Sequence, residues 1–125
     1  ERLEEEIVAG IGRAPGTASP LEAAAAGILA APAVMPDVAY ARRRALAVSR
    51  NASLQERELL KLSSLSEAVA SALRARGIED LPARVTADAA VSMFHHGFSL
   101  WISAEGPDDL AACLRLALAA IRAVA

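Results

Sequence analysis

The sequence predicts an all-α domain of about six helices, and three observations carry this. Its 125 residues are 54 % apolar with alanine prominent, and alanine is the best helix former. Apolar side chains recur every three to four positions, while no run alternates with period two for long enough to make a strand. Helix boundary signals punctuate the chain at Ser19-Pro20-Leu21-Glu22, Ser53-Leu54-Gln55-Glu56 and Gly77, residue types that satisfy the free N–H and C=O groups of helix ends. A single core over residues 1–125 fits this length.

The first helix spans Arg2 to Ile11, with Leu3, Ile7 and Ile11 at i, i+4 and i+8. Nothing precedes Glu1 to cap it and no initiator Met is present, so the chain is expected to begin inside or just before a helix of a longer protein. Residues 12–18 form a loop by their Gly and Pro content. Ser19 suits an N-cap, Pro20 the first turn and Glu22 the third position of a capping box, opening a helix through Ala23–Ala31 that stops near Pro32. A third helix starts at Asp37 and runs to Arg50, with Val38, Ala41, Ala45, Leu46 and Val48 as its apolar positions. Ser53 and Glu56 read as a second capping box opening the longest helix, Leu54 to Arg76, with Leu62, Leu65, Val69 and Leu73 on its apolar face and Gly77 as its stop. A fifth helix is expected from about Ala83 to Ala104, and a last from a cap at Asp108 or Gly106 to about Val124.

The formal net charge is −2, which argues against these residues gripping nucleic acid directly, since a DNA-binding domain normally presents a basic face. Arg42-Arg43-Arg44 spreads around a helix and is expected to be solvated. Cys113 is the only cysteine, so no internal disulfide can form and a reducing, cytoplasmic setting is expected. Its helical neighbours are Leu110, Leu114, Leu116 and Ala117, which makes it a buried small hydrophobe. No apolar run is long enough to span a membrane.

The most informative stretch is 88–102. It contains both histidines and three of the four aromatic residues. On a helix, Phe94, Phe98 and Trp101 share a face, while Val85, Ala89, Met93, His96 and Leu100 share roughly the opposite one. The last helix repeats the pattern: Leu110, Leu114, Ala117, Leu118 and Ile121 form one apolar face, and Ala112, Leu116, Ala119, Ala120 and Ala123 a second. A helix apolar on two sides must bury both. The second faces are therefore expected to meet another copy of the chain in a homodimer.

Two readings of the aromatic face stand. Phe94, Phe98 and Trp101 are core, or they wall an apolar cavity together with Met35, Tyr40, Leu59 and Leu62, with Tyr40, Ser63, Ser66 or His95 as its polar groups. Gly97 beside them leaves room for a ligand or for a closely packed helix. The adjacent His95 and His96 point about 100° apart and lack the i, i+4 partner of a helical metal site, so no metal or other cofactor is expected. No nucleophile elbow, phosphate loop, dinucleotide fingerprint or buried carboxylate pair is present, so an enzyme is not expected.

Ser53-Leu-Gln-Glu-Arg-Glu-Leu-Leu60 with the helix to Arg74-Ala-Arg-Gly77, and Val85-Thr-Ala-Asp-Ala-Ala-Val91 with Phe94, Phe98, Trp101 and Asp109-Leu110, resemble the ligand-binding region of TetR-family transcriptional regulators. The similarity runs from about Ser19 to the end and is nearest the mycofactocin-regulator-like branch. The resemblance implies a C-terminal effector-sensing domain whose last two helices form a four-helix bundle across a dimer. It also implies a small hydrophobic effector, and DNA contact only through an N-terminal helix-turn-helix domain that is not in these residues, with Arg2–Ile11 as the connecting helix. The alternative is a helical dimerisation or protein-interaction module with no small-molecule ligand.

Overall fold

The computed structural model describes residues 2–103 and 105–125. Among them are six α-helices, α1 (Arg2–Arg13), α2 (Pro20–Ile28), α3 (Val38–Ser49), α4 (Ala52–Ala75), α5 (Asp80–Ile102) and α6 (Leu110–Ala123), with a single 3₁₀ turn at Ala31–Val34. The all-α class is as expected from the sequence. Ala104, the expected end of the fifth helix, lies outside the described residues.

Caps explain most boundaries. Ser19 Oγ accepts from the Glu22 N–H at 3.1 Å and the Ser19 N–H donates to Glu22 Oε1 at 2.7 Å, the reciprocal pair of a capping box. These bonds to Ser19 hold the Glu22 carboxyl below its usual range. Their stabilising effect is thus present above the ordinary carboxylate pKa and fades as pH falls through the lowered value. Ser19→Ala is expected to cost about 1 kcal/mol in urea denaturation at neutral pH. Equal stability of the two proteins there would contradict the cap.

Asp37 caps α3 by accepting from the Tyr40 N–H at 2.8 Å. After α4, Gly77 takes φ 93°, the Gly77 N–H reaches Arg74 O and the Ile78 N–H reaches Leu73 O, which is the paired bonding of a Schellman stop. Other boundaries differ from expectation. Helix α1 runs on past Ile11 to Arg13. Helix α2 ends at Ile28, and Pro32 sits within the 3₁₀ turn instead of ending an α-helix. The cap of α4 is Asn51, whose side chain accepts from the Leu54 N–H at 3.2 Å, so Ser53 lies inside the first turn. Asp109 rather than Asp108 or Gly106 caps α6, accepting from the Ala111 N–H at 3.1 Å. Helix α5 starts at Asp80, because Pro82 falls in the first turn, where no intrahelical donor is needed.

The core gathers around α5, which packs against α2, α3, α4 and α6. Ala83, Ala87, Ala90, Met93, Phe94, Gly97 and Trp101 of α5 are buried against Leu65, Val69 and Leu73 of α4 and Leu110, Leu114 and Leu118 of α6. Cys113 is fully buried, and burial pushes its thiol pKa up.

Two helix crossings are set by glycine. A Cβ on Gly27 would lie 2.5 Å from Ile11 Cγ1 and 2.6 Å from Ile7 O, and one on Gly10 would lie 2.9 Å from Gly27 Cα. A Cβ on Gly97 would lie 2.7 Å from Leu114 Cδ2 and 3.0 Å from Leu114 Cα. Gly97 therefore makes room for α6.

Long-range polar bonds tie the helices at their ends. Arg76, just past α4, donates to Ile11 O (3.1 Å), Ala14 O (3.0 Å) and Pro15 O (2.6 Å), closing the C-terminal end of α1. Arg42 of α3 donates from Nε to Ile102 O at 2.9 Å and from Nη2 to Ser103 O at 3.3 Å, closing the end of α5. Cationic side chains at helix C-termini satisfy free carbonyls and complement the dipole.

Candidate functional site

A cleft of about 680 Å³ opens between α3, α4 and α5, with the start of α1 at one edge. Its apolar depth is built by residues that their helices hold at fixed register. Phe94, Phe98 and Ile102 recur at i, i+4 and i+8 on α5, and Leu62 and Leu65 face them from α4. Helix α3 crosses above with Tyr40, Ala41, Ala45 and Val48, and Met35 and Pro36 close the side where α3 begins. The Phe94 and Phe98 rings lie 6.1 Å apart at 29°, and the Phe98 ring meets Trp101 edge-on at 5.7 Å. Phe98 thus stands between the core indole and the cleft. Tyr40 is 50 % and Leu59 68 % exposed, so the cleft is open to solvent along one side.

Charge is confined to the rim. Arg44 pairs with Glu58, Lys61 Nζ lies 3.6 Å from the same carboxylate, and Ser64 Oγ donates to Glu4 at 2.9 Å. Among the described residues no polar or charged side chain is buried, and no buried side-chain polar atom lacks a partner. The depth of the cleft offers contact area and no charge. Such a site favours an uncharged apolar body, at roughly 25 cal/mol per Å² removed from water.

The candidate residues distribute as follows. Met35, Tyr40, Leu59, Leu62, Phe94, His95 and Phe98 line this cleft. Trp101 and Ser66 do not. Trp101 is buried and its indole N–H donates to Asp108 O at 3.0 Å, which fastens the turn between α5 and α6. Ser66 donates to Asp88 at 2.6 Å beside a second, smaller cavity on the α4–α5 seam, where Ser63 also lies. Ala41, Ala45, Val48, Leu65 and Ile102, together with the Arg44–Glu58–Lys61 rim, are additions that sequence reasoning misses. Helical spacing marks the first three as apolar positions, but small side chains carry no signal that separates a cleft wall from core. Arg42, Arg43 and Arg44 are all exposed, as expected, and Arg42 and Arg44 make the surface bonds described above.

Of the second-face candidates, Val85, His96, Leu116, Ala119, Ala120 and Ala123 are exposed, and Ala89, Leu100 and Ala112 are half-buried. Met93 is a correction. It is buried within the chain at 1 % exposure, one turn before Gly97, where α6 packs against α5. The α6 residues Ala112, Leu116, Ala119, Ala120 and Ala123 form one face with no charged side chain. Val85 (61 %) and Leu116 (52 %) stand out from the two helices as large exposed hydrophobics. His95 and His96 stack edge to face at 5.0 Å, and no group of three or more potential metal ligands occurs among the described residues.

Among the described residues no single helix is long and apolar enough to cross a membrane. Compared with known proteins, the chain matches no family model and no curated sequence.

Proposed function

We propose that this chain is the effector-sensing and dimerisation domain of a TetR-like transcriptional regulator, a cytoplasmic repressor that binds a small hydrophobic ligand. The ligand occupies the cleft between α3, α4 and α5. A second copy of the chain covers the exposed faces of α5 and α6, and DNA is read by a helix-turn-helix domain outside these residues. No catalytic role is assigned.

The observation that supports this best is that α5 carries both surfaces. Phe94, His95, Phe98 and Ile102 line the cleft, while Val85 and His96 of the same helix are exposed outside it. A ligand that prefers one setting of α5 then biases how two copies pack, which is the linkage that allostery requires.

The test is thermal denaturation against a panel of hydrophobic acids, acyl thioesters and apolar drugs. One chemical class is expected to stabilise the protein, by about 3 kcal/mol at a hundredfold excess over its dissociation constant. Phe98→Ala is expected to abolish most of that shift while the dimer persists. Absence of any hit, with the dimer intact, favours the other reading, a helical dimerisation module without a ligand. The exposed, charge-free α6 face supports that reading equally.

A further inference from the structure

We propose that α3 is the movable wall of the cleft and that Arg42 holds it in place by gripping the C-terminal end of α5. The part of this that concerns ligand entry rests on the ligand-binding reading above. The motion of α3 does not.

Helix α3 differs from the others in what holds it. Among its residues only Ala41 is buried, whereas α4 and α5 each bury several side chains. Apart from Ala41 and the half-buried Val38, which pack on the core, its apolar edge of Tyr40, Ala45 and Val48 is spread over an open cleft. Most of its holding contacts are polar and exposed: the two bonds from Arg42 to Ile102 O and Ser103 O, the Arg44–Glu58 pair, and Gln55 Nε2 donating to Ser49 O at 3.0 Å. At its start the chain leaves the 3₁₀ turn through Met35 and Pro36, and at its end Arg50 and Asn51 separate it from α4.

An element with few buried apolar contacts and exposed polar ties opens at lower free energy than the core around it. Exposed ion pairs contribute little. Of the ties, Arg42 is the one that bridges α3 to a helix distant in sequence by two hydrogen bonds from one charged group, which are the stronger kind. Lifting α3 must break both bonds and uncover the last carbonyls of α5. The same movement that widens the cleft beside Phe94 and Phe98 therefore releases the end of the helix that carries Val85 and His96. Arg42 does not line the cleft, and its role is positional.

Amide hydrogen exchange on the whole chain tests this directly. The amides of residues 42–49 are expected to exchange at least about tenfold faster than those of residues 65–73. Arg42→Met, which keeps the apolar stem, is expected to speed exchange in α3 by about another tenfold and to leave residues 65–73 unchanged. Arg42→Lys, which keeps the charge but not the fork, should fall between. Arg76→Met removes an arginine of the same bonding type at the other end of the molecule and should leave α3 exchange as it was. Protection of α3 equal to that of residues 65–73, or an Arg42→Met effect spread evenly over all helices, overturns the proposal.

Stopped-flow binding of 1-anilinonaphthalene-8-sulfonate gives the second readout. Arg42→Met should raise its association and release rates together by several-fold, with the dissociation constant changed less. If the exchange pattern holds but the fluorophore finds no site sensitive to Phe98→Ala, α3 moves as proposed and the ligand-binding reading is what fails.

Discussion

Gly27→Ala is expected to destabilise the protein by about 2–4 kcal/mol, although in a free helix the same change stabilises by up to about 1 kcal/mol. The added methyl would sit 2.6 Å from the Ile7 carbonyl oxygen and 2.5 Å from Ile11 Cγ1. Ile11 can turn aside only into a filled core, since it and Ile7 are fully buried. The backbone oxygen cannot turn at all, so α1 must back away from α2 and loosen Ile28 and Ala24, which are also fully buried. A loss of that size is a large share of the roughly 5–15 kcal/mol that holds a typical domain folded. Gly12→Ala is the matched control. Gly12 also lies on α1, and a methyl there would meet nothing within 4 Å. The intrinsic helix preference should then act alone and raise stability. Urea midpoints that moved in the same direction for both variants would contradict the close crossing of α1 and α2.

Leu116→Glu is expected to turn the proposed dimer into a monomer at micromolar concentration, weakening association at least about a hundredfold. Leu116 is 52 % exposed in the single chain and lies amid Ala112, Ala119, Ala120 and Ala123. A carboxylate there meets water while the chain is alone and loses it when a second copy covers the face. The fold itself should change by no more than about 0.5 kcal/mol, as for other surface substitutions. Leu60→Glu is the comparison, because Leu60 is 65 % exposed and belongs to α4, not to α5 or α6, and its substitution should leave association unchanged. Light scattering decides the matter: a parent protein that is monomeric at these concentrations would sink the dimer proposal outright, and a Leu116→Glu dimer would sink the assignment of this face.

The helices are legible where a side chain answers a local need. Ser19, Pro20 and Glu22 satisfy the first turn of α2 without help from elsewhere in the chain, and so do Asp37 for α3 and Gly77 after α4. Where two local answers compete, the pattern is ambiguous. Asn51 and Ser53 are both good caps, and the choice between them depends on how far α3 continues. Pro82 reads as a boundary, yet it is equally at home inside a first turn, so sequence alone starts α5 at Ala83 instead of Asp80.

The site is legible from its large side chains and obscure from its small ones. Phe94 and Phe98 repeat at four residues, which marks a face, and Met35, Tyr40 and Leu62 offer the matching bulk from other helices. Trp101, three residues after Phe98, shares that face in the pattern but finds a carbonyl at Asp108 in the turn that follows, a partner no periodicity reveals. Met93 departs from expectation for a geometric reason: a position at the edge of a helix face belongs to whichever neighbour packs there, and one turn before Gly97 the chain's own core closes over it. Gly97 permits two readings in sequence because an absent side chain says only that something is close. Leu114 is what is close.

The contact between Phe98 and Trp101 has a spectroscopic consequence. The chain has one tryptophan, its indole is 5 % exposed, and the ring that touches it edge-on forms part of the cleft wall. The emission of a single intrinsic fluorophore therefore reports two events without any label. Unfolding hydrates the indole and moves its emission to longer wavelength, whereas a molecule seated against Phe98 perturbs it through one intervening ring while the protein stays folded.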